Sequence, residues 1–315
     1  MSPALDVDLA VNFGSLELPN PILVASGTFG YAREMEGLVD LAALGGIVPK
    51  TITPGLRKGN RPWRTVETAA GLLNSIGLDN DGIEYFTSHH LPYLRETGAP
   101  ILVSIAAATI DEFASMAARL DACGGVGAIE LNISCPNVAH GVDFGTDPTL
   151  CEQLVAQVRA ATALPLLAKL TPNVARIADI AVAAERAGAD GLTVINTLLG
   201  MAVDWRKRRP LLGNVMGGLS GPAIKPVALR CVYQVSQAVQ IPILGVGGIA
   251  TIDDVMEFLV AGASAVQIGT ANFYRPTVSM EILAALPEAV ASLGADSVRA
   301  LVGSMHSPEQ ARSNN

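Results

Sequence analysis

A chain of 315 residues that is half hydrophobic and only 16% charged has ample apolar material for a large core, and a formal net charge of −8 argues against a nucleic-acid footprint. No run of 18 or more uninterrupted apolar residues occurs, and residues 1–18 carry Asp6, Asp8 and Glu17 without a basic stretch, which indicates neither membrane insertion nor secretion. The four cysteines, Cys123, Cys135, Cys151 and Cys231, form no C-x-x-C pair, so local spacing builds neither a zinc site nor an iron-sulfur cluster, and reduced thiols in a cytoplasm fit.

Residues 1–20 read as a hairpin that closes a barrel floor, followed by short strands at 22–25 and 46–48. From about residue 97 the chain alternates strand and helix. After a strand at 101–103, Thr109 and Glu112 form a capping-box pattern opening a helix with Phe113, Met116, Ala117 and Leu120 on one face, ended by Gly124 and Gly125. A strand at 128–133 precedes a helix introduced by Asp147-Pro148, with Leu150, Leu154, Val155 and Val158 on its buried stripe. Strand 166–170 follows, then a helix through Ile177, Ile180, Ala181 and Ala184 closing at Gly188, then strand 192–195. Downstream, strand 243–246, a helix capped at Thr251 and containing Val255, Phe258 and Leu259, and strand 265–268 repeat the unit.

Eight strands alternating with helices predict an α/β fold of the (β/α)8 TIM-barrel type, a single domain over residues 1–315. A doubly wound open sheet is the alternative, but the first βα turn lacks a G-x-G-x-x-G fingerprint. Two connections, 51–98 and 196–221, are too long for plain linkers and are expected as insertions on the active face. The basic run at 206–209 reads as a solvated loop.

In such a barrel the chemistry sits at the C-terminal strand ends. Those ends supply Ser26, Lys50-Thr51, Ser104, Asn132 with Cys135, Lys169 and Asn196-Thr197. An ammonium beside an apolar strand end costs free energy unless an anion meets it, which singles out Lys50 and Lys169. The last two strands end in Gly245-Val246-Gly247-Gly248-Ile249 and Gln267-Ile268-Gly269-Thr270. Glycines let backbone N–H groups approach a phosphate, and the turns after strands seven and eight are the recurrent phosphate site of these barrels. Pro136 biases Cys135 toward extended geometry on a loop where two amides and a hydroxyl are poor core material but good ligands. A phosphorylated cofactor with a small anionic substrate beside it suits this set, and flavin mononucleotide (FMN) fits where a dinucleotide would want the missing fingerprint.

The segments Asn-Ile-Ser-Cys-Pro-Asn at 132–137, Asn-Ser-Ile-Gly-Leu at 74–78, Asn-Thr-Leu-Leu-Gly at 196–200, Gly-Gly-Leu-Ser-Gly-Pro at 217–222, and the stretches 245–249 and 267–272 resemble the class 1 dihydroorotate dehydrogenases. The likeness spans nearly the whole chain and is greatest to the catalytic subunit of the NAD-linked subclass 1B. It implies FMN-dependent oxidation of (S)-dihydroorotate to orotate in pyrimidine biosynthesis, with Cys135 as the base at C5 while a hydride leaves C6 for flavin N5. Lys50, Asn74, Ser75, Ile76, Gly77, Leu78, Asn132, Asn196 and Thr197 would bind the substrate. Ser26, Lys50, Thr51, Ser104, Asn132, Ile195, Gly221, Gly247, Gly248, Gly269 and Thr270 would hold the flavin, with Lys169 near N1. Ser104 stands where the family commonly has Asn, and residues 138–144 would cover the substrate with Gly141 and Gly145 as hinges. A homodimer is expected, joined by an electron-transfer subunit carrying FAD and a [2Fe-2S] cluster to give a heterotetramer. Subclass 1A, a homodimer that reduces fumarate, and a barrel isomerase or synthase using the same phosphate turns without flavin are the alternatives.

Overall fold

Eight parallel strands form the framework of the computed structural model, which describes residues 7–133 and 144–306. They are β1 (Ile22–Val24), β2 (Gly46–Ile47), β3 (Leu102–Ile105), β4 (Ala128–Asn132), β5 (Leu166–Leu170), β6 (Gly191–Val194), β7 (Ile243–Val246) and β8 (Ala265–Ile268). Their order in the sheet is β2-β1-β8-β7-β6-β5-β4-β3, and parallel bridges Ile47–Ile101 and Ile52–Ile105 join its two ends into a barrel. Every residue of β1, β3, β5, β6, β7 and β8 is buried, as a parallel sheet wrapped by helices requires.

The surrounding helices start where local chemistry dictates. In α1 (Ile110–Cys123) Thr109 and Glu112 make the reciprocal capping box, and in α5 (Ile252–Ala261) Thr251 and Asp254 do the same. The Asp147 carboxylate accepts from the Thr149 and Leu150 N–H groups at the head of α2 (Pro148–Ala161). α3 (Ile177–Arg186), α4 (Lys225–Ser236) and α6 (Val278–Ser292) complete the outer layer. The corners after α3 and α5 turn at Gly188 (φ +95°) and Gly262 (φ +122°), conformations that a side chain would strain.

Near the N-terminus Val11–Phe13 pairs antiparallel with Leu16–Leu18 against the start of the barrel strands. A Cβ on Gly191, at the start of β6, would lie 2.7 Å from the fully buried Phe13, and one on Gly127, just before β4, 3.1 Å from Leu16.

At the opposite end the two long connections form an element that no local pattern announces. They merge into one antiparallel sheet, in the order Leu198–Met201, Met216–Ser220, Gly71–Asn74 and Thr65–Thr68. Gly218 pairs with Asn74, Leu219 with Leu73 and Ser220 with Leu72, across separations of 144 to 148 positions. Among the described residues no helix is long and apolar enough to cross a membrane, and no group of three or more His, Cys, Asp or Glu could hold a metal ion.

Candidate active site

The C-terminal ends of every barrel strand but β3 open into a cavity of about 550 Å³, whose remaining wall is the sheet built by the insertions. Its described lining contains the charged residues Lys50, Lys169 and Arg275 and no acidic side chain. A cavity with this charge set favours an anionic occupant.

Ser26, Lys50 and Thr51 line the cavity beside β1 and β2. Ser26 Oγ donates to the Pro49 carbonyl at 2.8 Å and lies 2.9 Å from Thr51 Oγ1, which in turn lies 3.0 Å from Ser104 Oγ. Ser104 itself is fully buried and does not reach the cavity. β3 runs to Ile105, so Ser104 lies inside the strand and supports Thr51 from behind.

On the other side Asn132, Lys169, Ile195, Asn196 and Thr197 come together. Asn196 Nδ2 donates to Asn132 Oδ1 at 3.2 Å, and Asn196 Oδ1 accepts from the Thr197 N–H at 2.9 Å. From the insertion sheet come Asn74, Ile76, Gly77 and Leu78, with Asn74 Nδ2 donating to the Gly218 carbonyl at 3.3 Å. Ser75 points away from the cavity, its hydroxyl and carbonyl both accepting from Asn60 Nδ2. Cys135 lies outside the described residues, as do residues 138–143 of the expected covering loop.

Gly221, Gly247, Gly248, Gly269 and Thr270 form the end wall. Thr270 Oγ1 donates to Ser220 Oγ at 2.7 Å, which ties the β8 turn to the insertion sheet. Gly248 has φ +78°, and a Cβ there would meet the Lys225 backbone N at 2.9 Å and the Gly221 carbonyl at 3.0 Å, so this cradle requires glycine. Gly245 serves packing instead, since a Cβ would overlap the Phe258 ring.

The β7 turn is held from behind by Asp254. Its Oδ2 accepts from the Ala250 and Thr251 N–H groups at 2.8 Å each, and Oδ1 accepts from Lys225 Nζ at 2.6 Å, while Lys225 also pairs with Glu257 at 2.9 Å. Burial works to raise the Asp254 carboxyl, but the hydrogen bonds from Lys225 and Ala250 outweigh it and hold the group below its ordinary value. A lowered carboxyl contributes stability that is fully present above its unfolded value near 3.9 and is lost as pH falls through the folded one. Asp254→Asn is therefore expected to melt at a lower temperature than the parent at neutral pH. The two melting temperatures should converge once pH falls through the lowered value of the folded carboxyl.

The sequence profile of the dihydroorotate dehydrogenases matches residues 8–290. The chain belongs to the dihydroorotate dehydrogenase family. It is 50% identical over 303 residues to the "Dihydroorotate dehydrogenase B (NAD(+)), catalytic subunit" of Desulforamulus reducens, covering 96% of this chain and all of that one. The subunit of the same name from Listeria monocytogenes is 49% identical over 294 residues, 93% of this chain and 97% of that one. Among solved structures, the DHODH of Eimeria tenella in complex with ferulenol superposes with a TM-score of 0.81 at 21% identity, over 98% of this chain and 91% of that one, a likeness of fold.

Two asparagines of this family member, the exposed Asn173 and the buried Asn80, escaped sequence reasoning. Asn173 Nδ2 donates to Thr171 Oγ1 at 2.9 Å and to the Thr197 carbonyl at 3.1 Å, while its Oδ1 accepts from the Leu199 N–H at 2.8 Å, so it fixes the start of the second insertion. Asn80 staples the first, accepting from the Thr53 and Gly82 N–H groups and donating to Thr53 Oγ1 and the Leu78 carbonyl. Thr53, Thr197 and Leu199 are brought to them by the fold, and spacing along the chain carries no mark of it.

Proposed function

We propose that this chain is an FMN-bearing catalytic subunit that oxidises (S)-dihydroorotate to orotate, the redox step of de novo UMP synthesis, and passes the electrons to NAD through a second subunit. The observation that carries the reading is the cavity itself: cationic and amide side chains face a glycine cradle across a space free of described carboxylates, in a chain half identical to NAD-linked catalytic subunits. The residues suit FMN. Gly247, Gly248, Gly269 and Thr270 line one edge of the cavity with backbone that a phosphate can approach closely. Ser26, Thr51, Ile195 and Gly221 border the part of the cavity in which the ring and ribityl chain would lie.

When bound, FMN supplies the two-electron acceptor for the hydride leaving C6 of the substrate. Lys50 neutralises the substrate carboxylate, and the amides of Asn74, Asn132 and Asn196, with Thr197, match the ring's carbonyl and N–H edges. The Asn196–Asn132 hydrogen bond fixes both amides before substrate arrives, so binding costs less side-chain ordering. Lys169 places positive charge beside the site where negative charge grows on reduction. Cys135 Sγ takes the C5 proton, which spares the site a free carbanion.

The three described cysteines, Cys123, Cys151 and Cys231, form no cluster site, so an iron-sulfur centre and FAD belong to the electron-transfer subunit. Two copies of each chain, in the cytoplasm, make the expected heterotetramer.

The test is anaerobic. Purified chain should be yellow or become so with FMN, and stoichiometric dihydroorotate should bleach its flavin absorbance. A colourless protein that cannot be reconstituted would overturn the reading. Turnover with fumarate by the chain alone would overturn its NAD-linked part, whereas NAD reduction that appears only on adding the partner subunit supports it.

A further inference from the structure

One ion pair in the barrel interior is unexplained by folding. Glu130, on β4, is fully buried. Its Oε1 accepts from Lys169 Nζ at 3.3 Å, and its Oε2 accepts from Thr193 Oγ1 at 3.0 Å and from Gln267 Nε2 at 2.8 Å. The four side chains come from β4, β5, β6 and β8, and of them only Lys169 lines the cavity. The carboxylate therefore sits one layer beneath the cavity floor, under the ammonium. Buried pairs of this kind are expensive to desolvate, and apolar replacements of similar volume are often neutral or stabilising, so stability does not account for it.

We infer that Glu130 is a positioning residue: it holds the Lys169 ammonium at the cavity floor and, through its own negative charge, moderates how strongly that ammonium favours the reduced flavin. The inference rests on the assignment of the cavity to FMN. An ammonium has three donors, and the pair with Glu130 engages one, which aims the head group while leaving donors for a bound ring. Thr193 and Gln267 disperse the carboxylate's charge through its other oxygen, Oε2. Two variants then push in opposite directions. Glu130→Gln removes the negative charge but keeps the shape, and its new N–H can be met by Gln267 Oε1, which is buried with no partner. The ammonium then acts uncompensated and reduction becomes easier. Gln267→Met removes a donor from the carboxylate, concentrates its charge on Lys169 and makes reduction harder.

The readout is the midpoint potential of FMN bound to the purified protein, measured by dye-coupled reductive titration without substrate. For Glu130→Gln the reduced form should gain about tenfold, ~30 mV upward for a two-electron couple. For Gln267→Met the potential should move downward. Shifts of the same sign, or none, would overturn the inference and leave Glu130 as packing. If Glu130→Gln does not fold, the sign for Gln267→Met alone decides. Failure of the parent protein to take up FMN is a different result, and it strikes the cavity assignment instead.

Discussion

Cys135→Ser is expected to slow reduction of the bound flavin by dihydroorotate by 10²- to 10⁴-fold, the usual contribution of a positioned base, with orotate binding largely retained. A thiol with a pKa near 8.5 is a few per cent thiolate at neutral pH, whereas a serine hydroxyl offers no comparable anion. The surroundings leave little competition for the role. No described carboxylate, histidine or cysteine lines the cavity. Of the other thiols, burial pushes Cys151 up to about 12 and also raises Cys231, and neither reaches the cavity. Single-turnover reduction followed by stopped-flow absorbance should show the parent rate climbing with pH toward the thiol's titration, and the variant should lose that rise. Matching pH profiles would remove Cys135 from the proton transfer.

Lys50→Met should lower kcat/KM for dihydroorotate roughly 10- to 150-fold, the equivalent of one charge-assisted hydrogen bond of about 1.5–3 kcal/mol. Lys50 follows the end of β2, its backbone N–H donating to the Gly30 carbonyl at 2.9 Å, and its Nζ would lie 3.8 Å from a Cβ on Gly27. The stem is thus anchored where the first two strands run out, and the head group is held over an open glycine turn. Orotate affinity, read from the flavin spectrum, should fall in parallel because product and substrate share the carboxylate. Lys50→Arg should restore little, since a planar fork does not replace a compact ammonium in a confined site. Unchanged kcat/KM in Lys50→Met would move the carboxylate elsewhere.

Much of this architecture is legible in the sequence because its determinants are local. The capping boxes at Thr109 and Thr251 and the apolar runs that become β5 and β7 are complete within a few residues. The eight strands fall within a few residues of where those runs predict. What escapes is non-local. The insertion sheet pairs segments on opposite sides of the barrel sequence, Asn173 meets Thr197 and Leu199 from more than 20 residues away, and Asn80 meets Thr53 across 27. Ser104 lies in a strand that runs two residues past its expected end, which turns a strand-end hydroxyl into one that meets Thr51. Glu130 did leave a trace, as a single carboxylate inside the apolar run of β4, a cost that an unpaired charge could not bear.

The glycines at 217 and 218 give the cavity wall a further property. A Cβ on Gly217 would come within 2.5 Å of the Asn74 carbonyl, and one on Gly218 would overlap Thr197. Gly217 thus keys the second insertion to the first and Gly218 keys the strands of the second to each other, like the teeth of a zip, and slipping either pairing by one residue would turn a whole row of side chains to the opposite face. Asn74 and Thr197 cannot be re-aimed independently. Any redesign of the cavity for a larger substrate has to treat both insertions as one cassette, exchanged together, or alter neither.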